Sequence, residues 1–166
     1  NFENPDDSYD TYLYVSGEKV FGGKGPRREG LKLFAWGQWG ERELDDTNDG
    51  QQNPTKHDRN RLGVGAKYLK KPFRFAAEYV DAEGMIFVGP DKPTFIFGPS
   101  SAKDADGSGW YLDAGYYIPD TKWQIDARYS QATKLEDLQA EHTFKSLVLG
   151  ANYHLNKKTR VTVNYE

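Results

Sequence analysis

The sequence predicts an all-β fold, an antiparallel transmembrane β-barrel to which this chain contributes about eight strands, and three observations predict it. Three segments, RLGVGAKYLKKPFRFAAEYV, GWYLDAGYYIPDTKWQIDARYS and SLVLGANYHLNKKTRVTVNYE, each read as strand, tight turn, strand. In each, apolar residues recur at every second position, the period of a strand with one apolar and one polar face. Each clear strand runs for roughly ten residues, close to the 9–11 that a tilted strand needs to cross the hydrocarbon layer, whereas soluble strands average about 5–6.

A first hairpin is expected in TYLYVSGEKVF and GLKLFAWGQWGERE, joined by GGKGPRREG. Its faces stay open, because Leu31, Leu33 and Ala35 compete with Phe34 and Trp36 for the apolar side. In the second hairpin Leu62, Val64, Ala66 and Tyr68, then Phe73, Phe75, Ala77 and Tyr79, share one face. Arg61, Gly63, Gly65, Lys67, Arg74, Ala76 and Glu78 share the other. The third hairpin sets Trp110, Leu112, Ala114, Tyr116, Trp123, Ile125, Ala127 and Tyr129 against Tyr111, Asp113, Gly115, Tyr117, Gln124, Asp126, Arg128 and Ser130. The fourth sets Leu147, Leu149, Ala151, Tyr153, Val161, Val163 and Tyr165 against Val148, Gly150, Asn152, His154, Arg160, Thr162, Asn164 and Glu166.

Alternation alone also suits a soluble sandwich or a ligand-binding barrel, whose apolar face is its core. The aromatic residues separate the readings. Tyr68 and Phe73 flank the first turn, Tyr116 and Trp123 the second and Tyr153 the third, while Tyr79, Trp110, Tyr129 and Tyr165 are expected at the far ends of the same faces. Rings with a polar tip at both ends of an aliphatic band form the aromatic belt that two membrane interfaces select. The opposite face, with Arg61, Lys67, Arg74, Glu78, Asp113, Gln124, Asp126, Arg128, Asn152, Arg160 and Asn164, suits a water-filled lumen, and these are the expected pore-lining residues.

Bulk composition narrows the class. A chain of 166 residues with no interdomain linker reads as a single domain. A formal charge of -3 leaves no basic footprint for nucleic acid. The chain has no cysteine, so disulfides and thiolate metal sites are excluded. No run approaches the roughly 18 apolar residues of a membrane helix, which excludes a helical membrane protein and leaves a barrel open.

LVLGANYHLNKKTRVTVNYE resembles the late hairpin of the phosphate-selective porin O and P family, matching at Leu149, Gly150, Asn152, Tyr153, Leu155, Asn156, Asn164 and Tyr165. That resemblance implies a 16-stranded outer-membrane pore of a Gram-negative bacterium, usually a homotrimer, with long outer loops and short periplasmic turns. It implies passage of small polar solutes, contact with lipid bilayer and lipopolysaccharide, and no cofactor. The family's rows of pore arginines have no residue-by-residue match here.

Short turns are expected at 70–72, 119–121 and 156–158, and long polar connections near 42–60, 81–109 and 131–143. With short turns periplasmic, both chain ends fall on the outer side, so the chain is expected to be an internal piece of a larger barrel. A complete eight-stranded barrel, or a scaffold whose lumen is filled by protein, are the alternatives. DDTNDG opens like a calcium loop, but Lys56 stands where a bidentate Glu is needed, so a solvated loop is expected. Gly63 and Gly65 lack a third glycine and a following helix, which excludes a dinucleotide fingerprint. His57, His142 and His154 show no ligand spacing, and Ser130, Ser146 and His154 give no nucleophile elbow, so neither a metal nor enzyme activity is expected. Two apolar runs, Met85–Val88 and Phe95–Phe97 around GPDKP, predict a covered hairpin in the longest loop, folded over the pore mouth or packed on a neighbouring subunit.

Overall fold

A computed structural model describes residues 9–23, 28–45, 54–84, 106–135, 141–156 and 159–166. Among them lie strands β1 (Thr11–Gly22), β2 (Glu29–Trp39), β3 (Glu41–Asp45), β4 (Pro54–Asp58), β5 (Asn60–Lys70), β6 (Phe73–Glu83), β7 (Gly107–Tyr117), β8 (Trp123–Lys134), β9 (His142–His154) and β10 (Arg160–Tyr165). Eight of them form one sheet in the order β1-β2-β5-β6-β7-β8-β9-β10, each antiparallel to the next. No helix among the described residues is long and apolar enough to cross a membrane. The fold is all-β.

Register settles the first hairpin. Leu33 pairs with Ala66 and Ala35 with Val64, so Leu31, Leu33 and Ala35 join the apolar face, while Phe34 and Trp36 pair with Gly65 and Gly63 on the polar one. The two rings fit there because a Cβ at Gly63 would collide with the Trp36 indole, and one at Gly65 with the Phe34 ring. Glycine on one strand thus accommodates a large ring from the next.

Each short connection has a local cause. Lys71-Pro72 alone joins β5 to β6, with a cis peptide bond before the proline. Between β7 and β8 the Thr121 hydroxyl donates to the Ile118 carbonyl at 2.9 Å and accepts from the Trp123 amide at 3.1 Å, with Asp120 in the left-handed region (φ 59°). Aspartate tolerates that conformation better than most residues. After β9, Asn156 Oδ1 accepts from the Thr159 amide at 2.9 Å.

Two long connections are corrected. Residues expected as a loop near 42–60 include the β3–β4 ribbon, in which Glu41 pairs with Asp58 and Glu43 with Lys56. Its strands carry too few apolar residues to show alternation, so polarity alone read as loop. The connection near 131–143 is shorter than expected, because β8 runs to Lys134 and β9 starts at His142. Tyr129 therefore sits in mid-sheet, level with Leu112 and Leu147, and Tyr165 pairs with Leu149. The predicted Met85–Phe97 hairpin lies outside the described residues, as does DDTNDG beyond Asp45.

Burial is inverted relative to a soluble protein. Among the described residues Leu135 is the one buried hydrophobic, while Gln124 and Asn152 are buried polar residues. Leu62, Leu112, Ile125, Leu147 and Leu149 stand exposed on the apolar face. An aliphatic face with no protein cover across a whole sheet needs an apolar solvent. Rings decorate the same face: Trp123 lies 4.9 Å from Tyr153, Phe73 5.4 Å from Tyr116, and Trp110 5.4 Å from Tyr129, centroid to centroid.

Candidate functional site

The polar face curls into a groove of about 760 Å³. Every strand of the large sheet contributes to its lining: Glu18 from β1, Lys32 from β2, Lys67 from β5, Arg74 from β6, Asp113 from β7, Asp126 from β8, Asn152 from β9 and Arg160 from β10. A single groove lined from one edge strand to the other requires the sheet to be concave on this side.

The densest cluster centres on Arg74. Its guanidinium Nη2 donates to Asp126 Oδ1 at 2.9 Å and lies 2.8 Å from Asp113 Oδ1. Asp113 Oδ1 accepts no hydrogen bond in this arrangement, so that contact is Coulombic. Arg74 reaches Asp126 across β7, because the residue between them in the register is Gly115, where a Cβ would collide with the Asp126 carboxylate and crowd Arg74. Gln124 Nε2 donates to Asp126 Oδ1 at 2.6 Å, the Asn152 amide donates to the same carboxylate, and Thr162 donates to Asn152 Oδ1 at 2.6 Å. His154 Nε2 lies 3.0 Å from Gln124 Oε1.

Arg74 and Glu78, and Asp126 and Arg128, share a strand face, which suits a wall salt bridge as well as a hydrated rim, and in the structure each side chain meets a partner on another strand. Residues two and four apart on a strand are separated by about 7 and 13 Å, while cross-strand neighbours are about 5 Å apart. Glu78 instead accepts from Trp36 Nε1 at 2.9 Å, and the Arg128 guanidinium lies 4.0 Å above the Tyr111 ring. Register places Arg61 beside Gln38, Lys67 beside Lys32, Arg160 beside His154, and Asn164 beside Gly150, all on the polar side.

Sequence reasoning missed the contribution of the first hairpin. Glu18 accepts two hydrogen bonds from Arg28, and Lys32 and Lys67 stand directly opposite each other. With the faces of that hairpin undecided, no signal in the sequence could have assigned Glu18, Arg28 and Lys32, whereas Lys67 of β5 was expected on the pore-lining face. At the opposite end of the strands, Asp10 accepts from Arg59 at 2.6 and 2.7 Å, from Gln38 at 2.8 Å and from Tyr12 at 3.2 Å. The Arg59 hydrogen bond holds the Asp10 carboxyl below the usual carboxylate range. Arg59 also donates its amide to the Gly40 carbonyl at 2.7 Å, which closes the base of the β3–β4 ribbon.

Among the described residues no group of three or more His, Cys, Asp or Glu could hold a metal ion. A groove lined by charges and amides offers hydrogen-bonding and ionic contacts to polar species.

No curated protein and no solved structure matches the chain. The family described as Gram-negative porin matches residues 30–166, from the second strand of the sheet to its last. This is a family of channels rather than enzymes, and its place is the outer membrane. Strands with an uncovered apolar face outside and a charged concave face inside are what such a channel wall requires, and the chain belongs to the Gram-negative porin family.

Proposed function

We propose that the eight-stranded sheet is part of the wall of a larger closed barrel, and that its polar face lines a wet lumen through which small solutes diffuse with a preference for anions. The observation that carries this reading is the groove itself. Basic Arg28, Lys32, Lys67, Arg74, Arg128 and Arg160 outnumber acidic Glu18, Asp113 and Asp126 in its lining. The arrangement is also asymmetric, with Lys32 and Lys67 on β2 and β5 facing a cluster on β7 and β8 where two carboxylates share one guanidinium. Opposed charge across a narrow lumen makes a transverse field that orders ions by sign.

Among the described residues no strand pairs with the outer edges of β1 and β10, and this supports a larger barrel, because unpaired backbone groups in lipid cost several kcal/mol each. Further strands would pair with them. The rings Tyr68, Phe73, Tyr79, Trp110, Tyr116, Trp123 and Tyr153 then face lipid as the aromatic belt, while Tyr129 and Tyr165, level with Leu147 and Leu149, face lipid within the aliphatic band. The likeness of the last hairpin to porins O and P supports a trimer of 16-stranded barrels within the broader family.

Planar-bilayer recording tests the reading. The porin should give stepwise currents in potassium chloride, and a salt gradient should set a reversal potential of the anion-preferring sign. A reversal potential of the cation-preferring sign would remove the anion preference, and absence of any current would leave a scaffold with a filled lumen.

A further inference from the structure

We propose that Gln124 and Asn152 are specificity-determining positioning residues, two uncharged amides that hold the Asp126 carboxylate against the wall so that passing cations find no open carboxylate there; this rests on the channel reading above. Arg74 Nη2 reaches Asp126 Oδ1 at 2.9 Å and Asp113 Oδ1 at 2.8 Å. One guanidinium between two carboxylates leaves the cluster one positive charge short. Neutral donors make up the difference at Asp126, where Gln124 Nε2 donates to Oδ1 at 2.6 Å and the Asn152 amide donates to Oδ2. Both oxygens are thereby engaged, by donors from β6, β8 and β9. Hydrogen bonds to an ionised acceptor are about twice as strong as neutral ones.

The amides belong to the wall rather than to the lumen. Gln124 is 1% exposed and Asn152 2%, so a solute in the groove meets almost nothing of either, and they act through Asp126. Each is also oriented from behind. Asn152 lies opposite Gln124 on one side and Thr162 on the other, and the Thr162 hydroxyl donates to Asn152 Oδ1 at 2.6 Å, which leaves the Asn152 NH2 group for Asp126. His154 Nε2 stands 3.0 Å from Gln124 Oε1, and with the Gln124 NH2 group on Asp126 the imidazole is the donor there. Turning either amide over would set a donor against a donor and leave buried polar groups unmatched. The register neighbours of Asp126, Gly115 and Gly150, carry no side chain that could replace them. Without the amides the carboxylate keeps Arg74 alone, a partner it shares with Asp113, and is free to turn into the groove.

Reversal potentials in a potassium chloride gradient test the assignment with substitutions that change no formal charge. Gln124→Met and Asn152→Leu should each lower the anion-to-cation permeability ratio about twofold, whatever its starting value. In an Asp126→Ala background neither should move it, and heat-modifiable gel migration checks that every variant is folded. A ratio unmoved in the parent background, or moved equally in the Asp126→Ala background, would overturn the proposal, because a merely structural role predicts one or the other. A double-mutant cycle between Asn152→Leu and Asp126→Ala, read by unfolding in lipid vesicles, needs no ion flow. The two changes should couple by about tenfold in the unfolding equilibrium. Absence of current in the parent would defeat the channel reading alone; the cycle then decides, and additive effects in it would overturn the positioning role.

Discussion

At the scale of single residues, glycine sets what the polar face can hold. Gly115 is the clearest case, since Arg74 reaches Asp126 only across a position with no side chain. Replacing Gly115 with Val would push both partners aside and leave a guanidinium and two carboxylates mismatched. The expected cost is about 1–3 kcal/mol, from overpacking and lost ion pairing, read as a lower midpoint in denaturant unfolding from micelles. Asp10 makes a second residue-scale case. Its carboxyl titrates below its unfolded value, so the clasp on Arg59 contributes stability above roughly pH 4 and loses it as pH falls through the lower folded value. Asp10→Asn should therefore speed amide exchange at Arg59 at neutral pH, and should remove the extra loosening that the parent shows on acidification. Unchanged exchange in the variant would show that the ribbon base holds without the clasp.

At the scale of strands, one residue of offset changes the solvent. Leu149 is exposed on the apolar face, and its neighbour Val148 lines the groove. Leu149→Arg should destabilise the folded barrel by about 2–4 kcal/mol, the cost of a guanidinium near the bilayer midplane, while Val148→Arg should stay within about 1 kcal/mol. Refolding titrations in lipid vesicles measure both. Equal costs would mean that the two faces do not see different media. The hairpins were legible in sequence wherever alternation met an unambiguous turn, as at Lys71-Pro72. The β3–β4 ribbon was not, because a strand pair without an apolar face has no periodic signature and is specified only by its ladder and by contacts such as Lys56 with Glu41 at 3.7 Å.

At the scale of the whole molecule, the sheet sets two carboxylates of its concave face beside Arg74, with basic groups on strands to either side, Arg128 and Arg160 among them. Lys32 and Lys67 lie on one side of Arg74 in the strand order, and Asp113 and Asp126 on the other. Changing Asp113 and Asp126 together to Asn removes two of the three carboxylates, Glu18 being the third, from the groove lining. The anion-to-cation permeability ratio should rise by a factor of about 2 to 10, an effect of roughly 0.4 to 1.4 kcal/mol. Reversal potentials in a salt gradient read it directly, and a ratio that does not move would place the selectivity elsewhere in the barrel.

Alternation by itself determined the strands of the large sheet, their direction reversals and, for three hairpins, which residues share a face, because a period of two leaves no freedom about side-chain direction once a strand forms. The medium was indicated not by alternation but by which residues fill the apolar face, aliphatic side chains flanked by rings. Register was decided only by the tertiary structure. Whether Phe34 and Trp36 face lipid or groove depended on pairing with Gly65 and Gly63, and whether Arg74 meets Glu78 or Asp126 depended on strands more than 40 residues apart in the chain. Periodicity fixes directions within a strand. Partners are fixed by hydrogen-bonded ladders between strands, and those are a property of the assembled sheet.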